Sequence, residues 1–452
     1  MYDDDIIAAI ATGYMASAIG IIRVSGRGSF DLLEKIFTKK QPYKHRYIHY
    51  GHIVDKNLDI IDEVLVSIFK SPESYTGEDS FEINCHGGIL VLNKVLQRVI
   101  EAGARLAQPG EFTKRAFLNG KLDLSQAEAV EKIISSKSER ALKIAQRQLK
   151  GNFSTKLDSI REQILFLMAE NEVLIDHPDE DLSSTPTLEK IDILKNIQNQ
   201  LESILKASEF GHSIFEGVVL ALVGKPNVGK SSLLNILTGL ERSIVTDIPG
   251  TTRDVVSEQF NINGIPFTIL DTAGIRKTSD IVENIGVERS KKAIQDADIV
   301  VAIFDATREL SIEDREIIKN IKNLNKKYIA VINKTDEKSL INESGLGLQN
   351  IINISCKTGK GIDELEKRLS EMASLGIVDD ADVVSLNANQ KNSLVMSINM
   401  CKQIINDVQD DIDPSLIAVD LMSMADYLDE IVGKITNEDM LDVMFKKFCI
   451  GK

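Results

Sequence analysis

The sequence predicts a multidomain fold: a mixed α+β N-terminal domain, a central all-α domain, and an α/β domain inserted into the helical one. Three observations carry this reading: the length, two changes of texture along the chain, and a return of helical sequence after the α/β segment. At 452 residues the chain exceeds what one hydrophobic core usually organises, so two to four domains are expected.

From Ile6 to Asn119, short apolar runs such as Ile19 to Val24 and Val64 to Phe69 alternate with glycine-containing turns and helical patches, the pattern of α+β sequence. From Leu122 to Leu205 glycines become rare, and apolar residues recur at helical spacing over Gln126 to Leu149, Leu157 to Leu174 and Leu188 to Leu205. The run from His177 to Asp181, followed by Ser183, Ser184 and Pro186, reads as a loop. At Val218 to Val223 a continuous apolar run begins a series that includes Phe267 to Leu270, Ile299 to Phe304, Tyr328 to Ile332 and Ile351 to Ile354. Such runs mark strands buried on both faces of a parallel sheet. Helical periodicity then returns over Asn387 to Val408 and Leu416 to Ile431. The expected boundaries are 1–118, 119–215, 216–374 and 375–452, the second and fourth segments forming one helical domain.

Composition narrows the class. With 43% hydrophobic and 27% charged residues the chain reads as a water-soluble globular protein, and no apolar run approaches the roughly 20 residues of a membrane helix. The acidic start, Met1-Tyr2-Asp3-Asp4-Asp5, lacks the positive charge of a secretory signal. Cys85, Cys356, Cys401 and Cys449 form no CxxC pair, which argues against a zinc site or disulfide framework and for a reducing cytoplasm. His45, His49 and His52 lie among strand-forming residues and are read as structural, not metal-binding. A net charge of -15 repels polyanions, so nucleic-acid binding would need a local basic face or a partner protein.

The chemistry concentrates in the α/β segment. Gly224-Lys225-Pro226-Asn227-Val228-Gly229-Lys230-Ser231 fits G-x-x-x-x-G-K-[ST] between an apolar strand and the helical Ser232 to Leu237. In that context the loop N–H groups close on phosphates, Lys230 supplies a point charge and Ser231 offers a hydroxyl to Mg2+. Asp271-Thr272-Ala273-Gly274 brings a carboxylate near the metal shell and a glycine N–H toward a γ-phosphate. Thr252, within Gly250-Thr251-Thr252-Arg253-Asp254, is the candidate switch-loop ligand of Mg2+. Asn333-Lys334-Thr335-Asp336 ends an apolar strand, and its aspartate can accept from both the ring N–H and the exocyclic amine of guanine, which adenine does not offer. Ser355-Cys356-Lys357 would back that site. The motif order therefore predicts a Ras-like G domain that binds GTP. Ile275 stands where Ras-like proteins carry the water-orienting glutamine, so another group must orient the water.

On these residues the chain resembles the tRNA modification GTPase MnmE (TrmE) family. The resemblance also rests on Gly20 to Gly26, Tyr75-Thr76-Gly77-Glu78-Asp79, His86-Gly87-Gly88, Pro109 to Thr113, Ala116 to Leu124 and the terminal Phe448-Cys449-Ile450-Gly451-Lys452. It covers nearly the whole chain, with a departure at Ala11 to Ser17. It implies a folate-binding-like N-terminal domain that joins a homodimer, and GTPase activity raised by G-domain dimerisation. GTP contacts carried over by position are Asn227 to Ser232, Thr246, Asp247, Ile248, Pro249, Gly250, Thr251, Thr252, Asp271 to Gly274, Asn333, Lys334, Asp336, Ser355, Cys356 and Lys357. A K+ ion is implied on Asn227, Thr246, Ile248 and Thr251, with Glu283 as the water-orienting group; from sequence alone Glu283 reads as a solvated acid at a helix start. Arg23, Glu82, Lys121 and Lys452 match contacts to a tetrahydrofolate one-carbon derivative, 5-formyl- or methylene-tetrahydrofolate.

The implied reaction adds an aminomethyl or carboxymethylaminomethyl group to carbon 5 of the wobble uridine of certain tRNAs, in a heterotetramer or larger complex with the FAD- and NADH-dependent MnmG (GidA). The acidic charge suits a complex in which that partner carries most of the tRNA contact. Cys449 has three readings: a prenylation site, for which Gly451 and Lys452 are wrong; an inert small residue; and, as the resemblance implies, a thiol needed for modification but not for GTP hydrolysis. Two rivals share the G domain: a switch protein of ribosome assembly or metal insertion, and a membrane scaffold of dynamin type. The N-terminal domain and the Phe-Cys-Ile-Gly-Lys tail speak against the first. The lack of an apolar insertion segment speaks against the second.

Overall fold

The computed structural model describes residues 5–176, 185–240, 258–269, 292–324, 326–374, 380, 382–435, 441, 444–446, 448 and 451. The expected loop from His177 to Asp181 lies outside them. The chain packs as two compact units, one made of residues 1–131, 149–182 and 413–452, the other of 132–148 and 183–412.

The first unit contains a six-stranded sheet in the order β3-β4-β5-β2-β1-β6. Its strands are β1 (Ile7–Ile10), β2 (Ile19–Ser25), β3 (Ile48–Val54), β4 (Ile60–Phe69), β5 (Ser80–His86) and β6 (Arg105–Leu106). All neighbours are antiparallel except β1 and β6. Alternation decides the buried face: Ile22, Val24, Val66, Ile68, Phe81 and Ile83 point inward. They meet Leu32, Leu33 and Ile36 of helix α1 (Ser29–Ile36) and Leu92, Val95 and Val99 of helix α2 (Ile89–Glu101). Helix α3 (Glu111–Leu118) follows β6. His49 is buried and accepts from the Lys44 N–H, while His45 pairs with Glu73. No cluster of three or more potential ligands occurs among the described residues.

The helical stretch expected over Gln126 to Leu149 is two helices, α4 (Leu124–Ser135) and α5 (Glu139–Leu149). Ser138 separates them: its hydroxyl accepts from the Ala141 N–H, an N-cap worth about 1 kcal/mol. Helix α6 (Asn152–Asp176) and helix α7 (Thr187–Phe215) follow, the latter running ten residues past the expected Leu205.

The second unit holds the α/β sheet, ordered β12-β11-β10-β7-β9-β8. It comprises β7 (Val218–Val223), helix α8 (Lys230–Leu240), β8 (Glu258–Ile262), β9 (Ile265–Ile269), β10 (Ile299–Asp305), helix α9 (Ile312–Asn323), β11 (Lys327–Asn333), the short α10 (Glu343–Leu346), β12 (Ile351–Asn353) and helix α11 (Ile362–Ser374). Five strands are parallel and β8 runs antiparallel at the edge. β8 was not among the expected strands. Its signal is Asn263-Gly264, whose positive φ angles of 53° and 81° make the tight hairpin to β9.

The central strands β7 and β10 are almost wholly apolar because both faces are covered. Leu220, Leu222, Val301 and Ile303 join one core with Leu233 and Leu237 of α8, while Ala221, Val223, Val300 and Ala302 join another with Ile318 and Ile321 of α9. Helix α12 (Ala388–Gln409) packs on α7, and helix α13 (Pro414–Val432) packs on α6. Each pair joins a helix preceding the α/β segment to one following it. Among the described residues no helix is long and apolar enough to cross a membrane.

Candidate functional site

In the α/β sheet the chain passes from β7 to β9 on one side and then to β10 on the other. The reversal opens a crevice at the carboxyl ends of β7 and β10, where open α/β sheets bind ligands. The described motif residues collect at those ends.

The 224–229 loop is wound too tightly for side chains at its glycines. A Cβ at Gly224 (φ 157°) would stand 2.5 Å from the Ile303 carbonyl, and one at Gly229 (φ 103°) would stand 2.1 Å from Asn333 Nδ2. Asn227 sits at φ 65°, which asparagine tolerates. Lys230, the first residue of α8, donates through Nζ to the carbonyls of Gly224 at 2.6 Å and Lys225 at 2.7 Å. Burial lowers the pKa of its ammonium, while phosphate oxygens within reach would favour the charged form. Ser231 and Ser232 occupy the same first turn, where N–H groups and the helix dipole favour anions.

Asn333 ends β11, is 2% exposed and spends its amide on two loops. Nδ2 donates to the Val228 carbonyl at 2.8 Å, and Oδ1 accepts from the Cys356 N–H at 3.0 Å. It thereby couples the phosphate loop to the 355–357 loop. Ser355, fully buried, donates its hydroxyl to Asp336 Oδ1 at 2.6 Å. That bond is the main reason the Asp336 carboxyl is held below its ordinary pKa. One oxygen of Asp336 is thus fixed by the protein and the exposed carboxylate remains an acceptor pair for a base edge. Lys334, in a left-handed conformation at φ 67°, reaches Asp305 Oδ2 at 2.7 Å. Cys356 is half-buried, and burial raises its thiol pKa. Asp305 was not among the candidate residues, because an aspartate closing an apolar strand carries no motif signal.

Thr246, Asp247, Ile248, Pro249, Gly250, Thr251, Thr252, Asp271, Thr272, Ala273, Gly274, Glu283, Cys449 and Lys452 lie outside the described residues.

In the first unit, Arg23 on β2 faces Glu82 on β5 across the antiparallel register. Its Nε and Nη2 both lie 2.9 Å from Glu82 Oε1, and its Nη1 donates to the Gly451 carbonyl at 3.3 Å. The guanidinium lies 5.4 Å from the Tyr75 ring centroid and 5.7 Å from that of Phe112. Burial, opposed by Thr113 and Arg23, raises the Tyr75 pKa. Lys121 is directed elsewhere, to the Pro72 carbonyl at 3.1 Å. The aromatic pair was not legible as part of this site, since Tyr75 and Phe112 are distant in sequence and only folding stacks them on Arg23. Phe112 is fully buried and backs Arg23 from the core, so the groups open to a ligand are the cation, the carboxylate and the Tyr75 ring, which suit a flat molecule bearing carboxylates.

Comparison with known proteins adds whole-chain context. The profile described as the MnmE helical domain matches residues 124–449, and that described as the GTP-binding protein TrmE N-terminus matches residues 6–121. The tRNA modification GTPase MnmE of Acetivibrio thermocellus is 44% identical over 461 aligned positions, covering 100% of both chains. That of Aquifex aeolicus is 43% identical over 450, covering 99% of both. Among solved structures, a single-substitution variant of Aquifex aeolicus Era bound to GDP and AlF4- is 30% identical over 40% of this chain and 66% of its own, with a TM-score of 0.27.

Proposed function

This chain belongs to the family of the tRNA modification GTPase MnmE, and from that premise we propose that it is the cytoplasmic, GTP-hydrolysing subunit of a tRNA-modifying complex. The observation that carries the reading is the convergence of Lys230, Asn333, Asp336 and Ser355 at the carboxyl ends of β7, β11 and β12. With an FAD- and NADH-dependent partner of the MnmG (GidA) type, the chain would add an aminomethyl or carboxymethylaminomethyl group to carbon 5 of the wobble uridine of certain tRNAs. The expected division into 1–118, 119–215, 216–374 and 375–452 goes with this reading, as does a homodimer joined through the first segment.

The roles of the chain's own groups follow from their chemistry. The 225–229 main chain cradles the phosphates and Lys230 neutralises charge on them. Asp336 reads guanine, held in orientation by Ser355. Ser231 and Thr252 would hold Mg2+; Asn227, Thr246, Ile248 and Thr251 would hold K+. Bound there, these ions supply positive charge against the charge that develops during phosphoryl transfer. Glu283 would orient the attacking water in the absence of a glutamine at Ile275. The hard-oxygen donor Ser231, at a helix N-terminus beside the Lys230 loop, fits such a site. Arg23 and Glu82, with Lys121 and Lys452, would hold the tetrahydrofolate derivative, and the exposed Tyr75 ring beside Arg23 fits a pterin.

The testing experiment is steady-state GTP hydrolysis in KCl against NaCl at equal ionic strength. K+ should raise the rate at least about tenfold, a modest share of what one lost transition-state contact costs. Equal rates would refute the cation-assisted mechanism. Cys449→Ser should leave that hydrolysis unchanged and abolish wobble-uridine modification, read by nucleoside mass spectrometry in the reconstituted complex. Continued modification would make Cys449 an inert residue.

A further inference from the structure

Asp305 closes β10 and its side chain is only 4% exposed. Its two oxygens do different work. Oδ1 accepts from the Thr307 N–H at 3.0 Å and the Thr307 hydroxyl at 2.7 Å, which fixes the carboxylate's rotation. Oδ2 receives Lys334 Nζ at 2.7 Å and Arg308 Nε at 3.0 Å. Burial works to raise this carboxyl's pKa, and the Lys334, Thr307 and Arg308 contacts overcome it, so the group stays ionised well below the usual carboxylate range.

The backbone locks the same junction. Asp305 pairs in parallel register with Asn333, and the Ala306 N–H donates to the Asn333 carbonyl at 2.9 Å. Lys334 leaves β11 at φ 67° and is 32% exposed in its side chain. A long, partly solvated lysine would otherwise sample many rotamers and lose that freedom on ordering. Here its ammonium is held on Asp305 Oδ2, while its backbone lies in sequence between the buried Asn333 and the exposed Asp336.

We propose that Asp305 is a positioning residue of the nucleotide site: its rigidly held carboxylate anchors the Lys334 ammonium and so preorganises the guanine-facing loop from Asn333 to Asp336. The inference rests on the guanine-nucleotide reading above and assigns this buried aspartate a part in it. Such an anchor acts on binding, through nucleotide release, and not on the chemical step.

The test uses the full chain and fluorescent GDP. Asp305→Asn should release GDP about tenfold faster and raise KM for GTP with kcat unchanged. Because Asp305 acts through Lys334, the double variant with Lys334→Ala should lose no more affinity than Lys334→Ala alone. Thr307→Val keeps the charge and removes the hydroxyl that aims it, so it too should speed GDP release, and it serves if Asp305→Asn does not fold. Unchanged release in either folded variant, or additive losses in the double variant, would overturn the proposal. A parent chain that binds no GDP would overturn the guanine-nucleotide reading itself and this inference with it.

Discussion

Asp336→Asn should convert the chain from guanine to xanthine recognition, weakening GTP binding by about 10²- to 10³-fold while XTP gains by a similar factor. Guanine presents two donors to the aspartate, each a charge-assisted hydrogen bond of the stronger kind. An amide can accept only one of them and turns a donor toward the other. Xanthine replaces the exocyclic amine by a carbonyl, which that donor satisfies. The structure strengthens the expectation by fixing the amide's direction: the Ser355 hydroxyl, 2.6 Å from Asp336 Oδ1, still needs an acceptor. The asparagine oxygen therefore stays on Ser355 and the NH2 group faces the base. Competition binding with GTP and XTP reads the result. Undiminished GTP affinity would mean that Asp336 does not contact the base.

The second large effect is expected at Lys230. Lys230→Ala should lower kcat/KM for GTP by about 10³-fold, since removing one preorganised positive group from a developing charge costs about 10²- to 10³-fold and the loop is loosened as well. The loosening follows from Nζ bridging the carbonyls of Gly224 and Lys225 across the phosphate loop. The side chain belongs to no hydrophobic cluster, so the variant's melting temperature without nucleotide should stay within a few degrees of the parent's. GTP raises the parent's melting temperature by mass action, and that rise should disappear in the variant. Lys230→Arg should rescue little, because a planar guanidinium is not a compact ammonium. Hydrolysis assays with thermal melts decide the matter. Activity within a few-fold of the parent would exclude Lys230 from phosphate binding.

Within the described residues, the parts of the candidate site that adjoin a strand were legible because their signal is local. Gly224 to Ser231 and Asn333 to Asp336 each follow a strand directly, so strand, turn and motif are adjacent in the chain. The resemblance at Arg23 and Glu82 likewise found an ion pair that the register of β2 and β5 makes inevitable. Lys121, grouped with them by resemblance, bonds instead to the Pro72 carbonyl. Elsewhere, local rules competed. Apolar spacing continues across residues 136–138, yet the capping hydroxyl of Ser138 ends one helix and starts another. The Asn263-Gly264 turn outweighed the weak alternation of Glu258 to Ile262 and made β8.

Sequence by itself determined five of the six strands of the α/β sheet and the placing of the 224–231 loop and of Asp336 directly after strands, because hydrophobic runs and turn residues act over a few neighbouring positions. Only the tertiary structure decided which helices pair, α6 with α13 and α7 with α12, since an apolar stripe states that a face is buried and not against what. It alone set Tyr75 and Phe112 on Arg23, and Asp305 under Lys334. Those contacts join residues far apart in the chain, and their strength depends on burial and register, quantities that exist only once the sheets have formed.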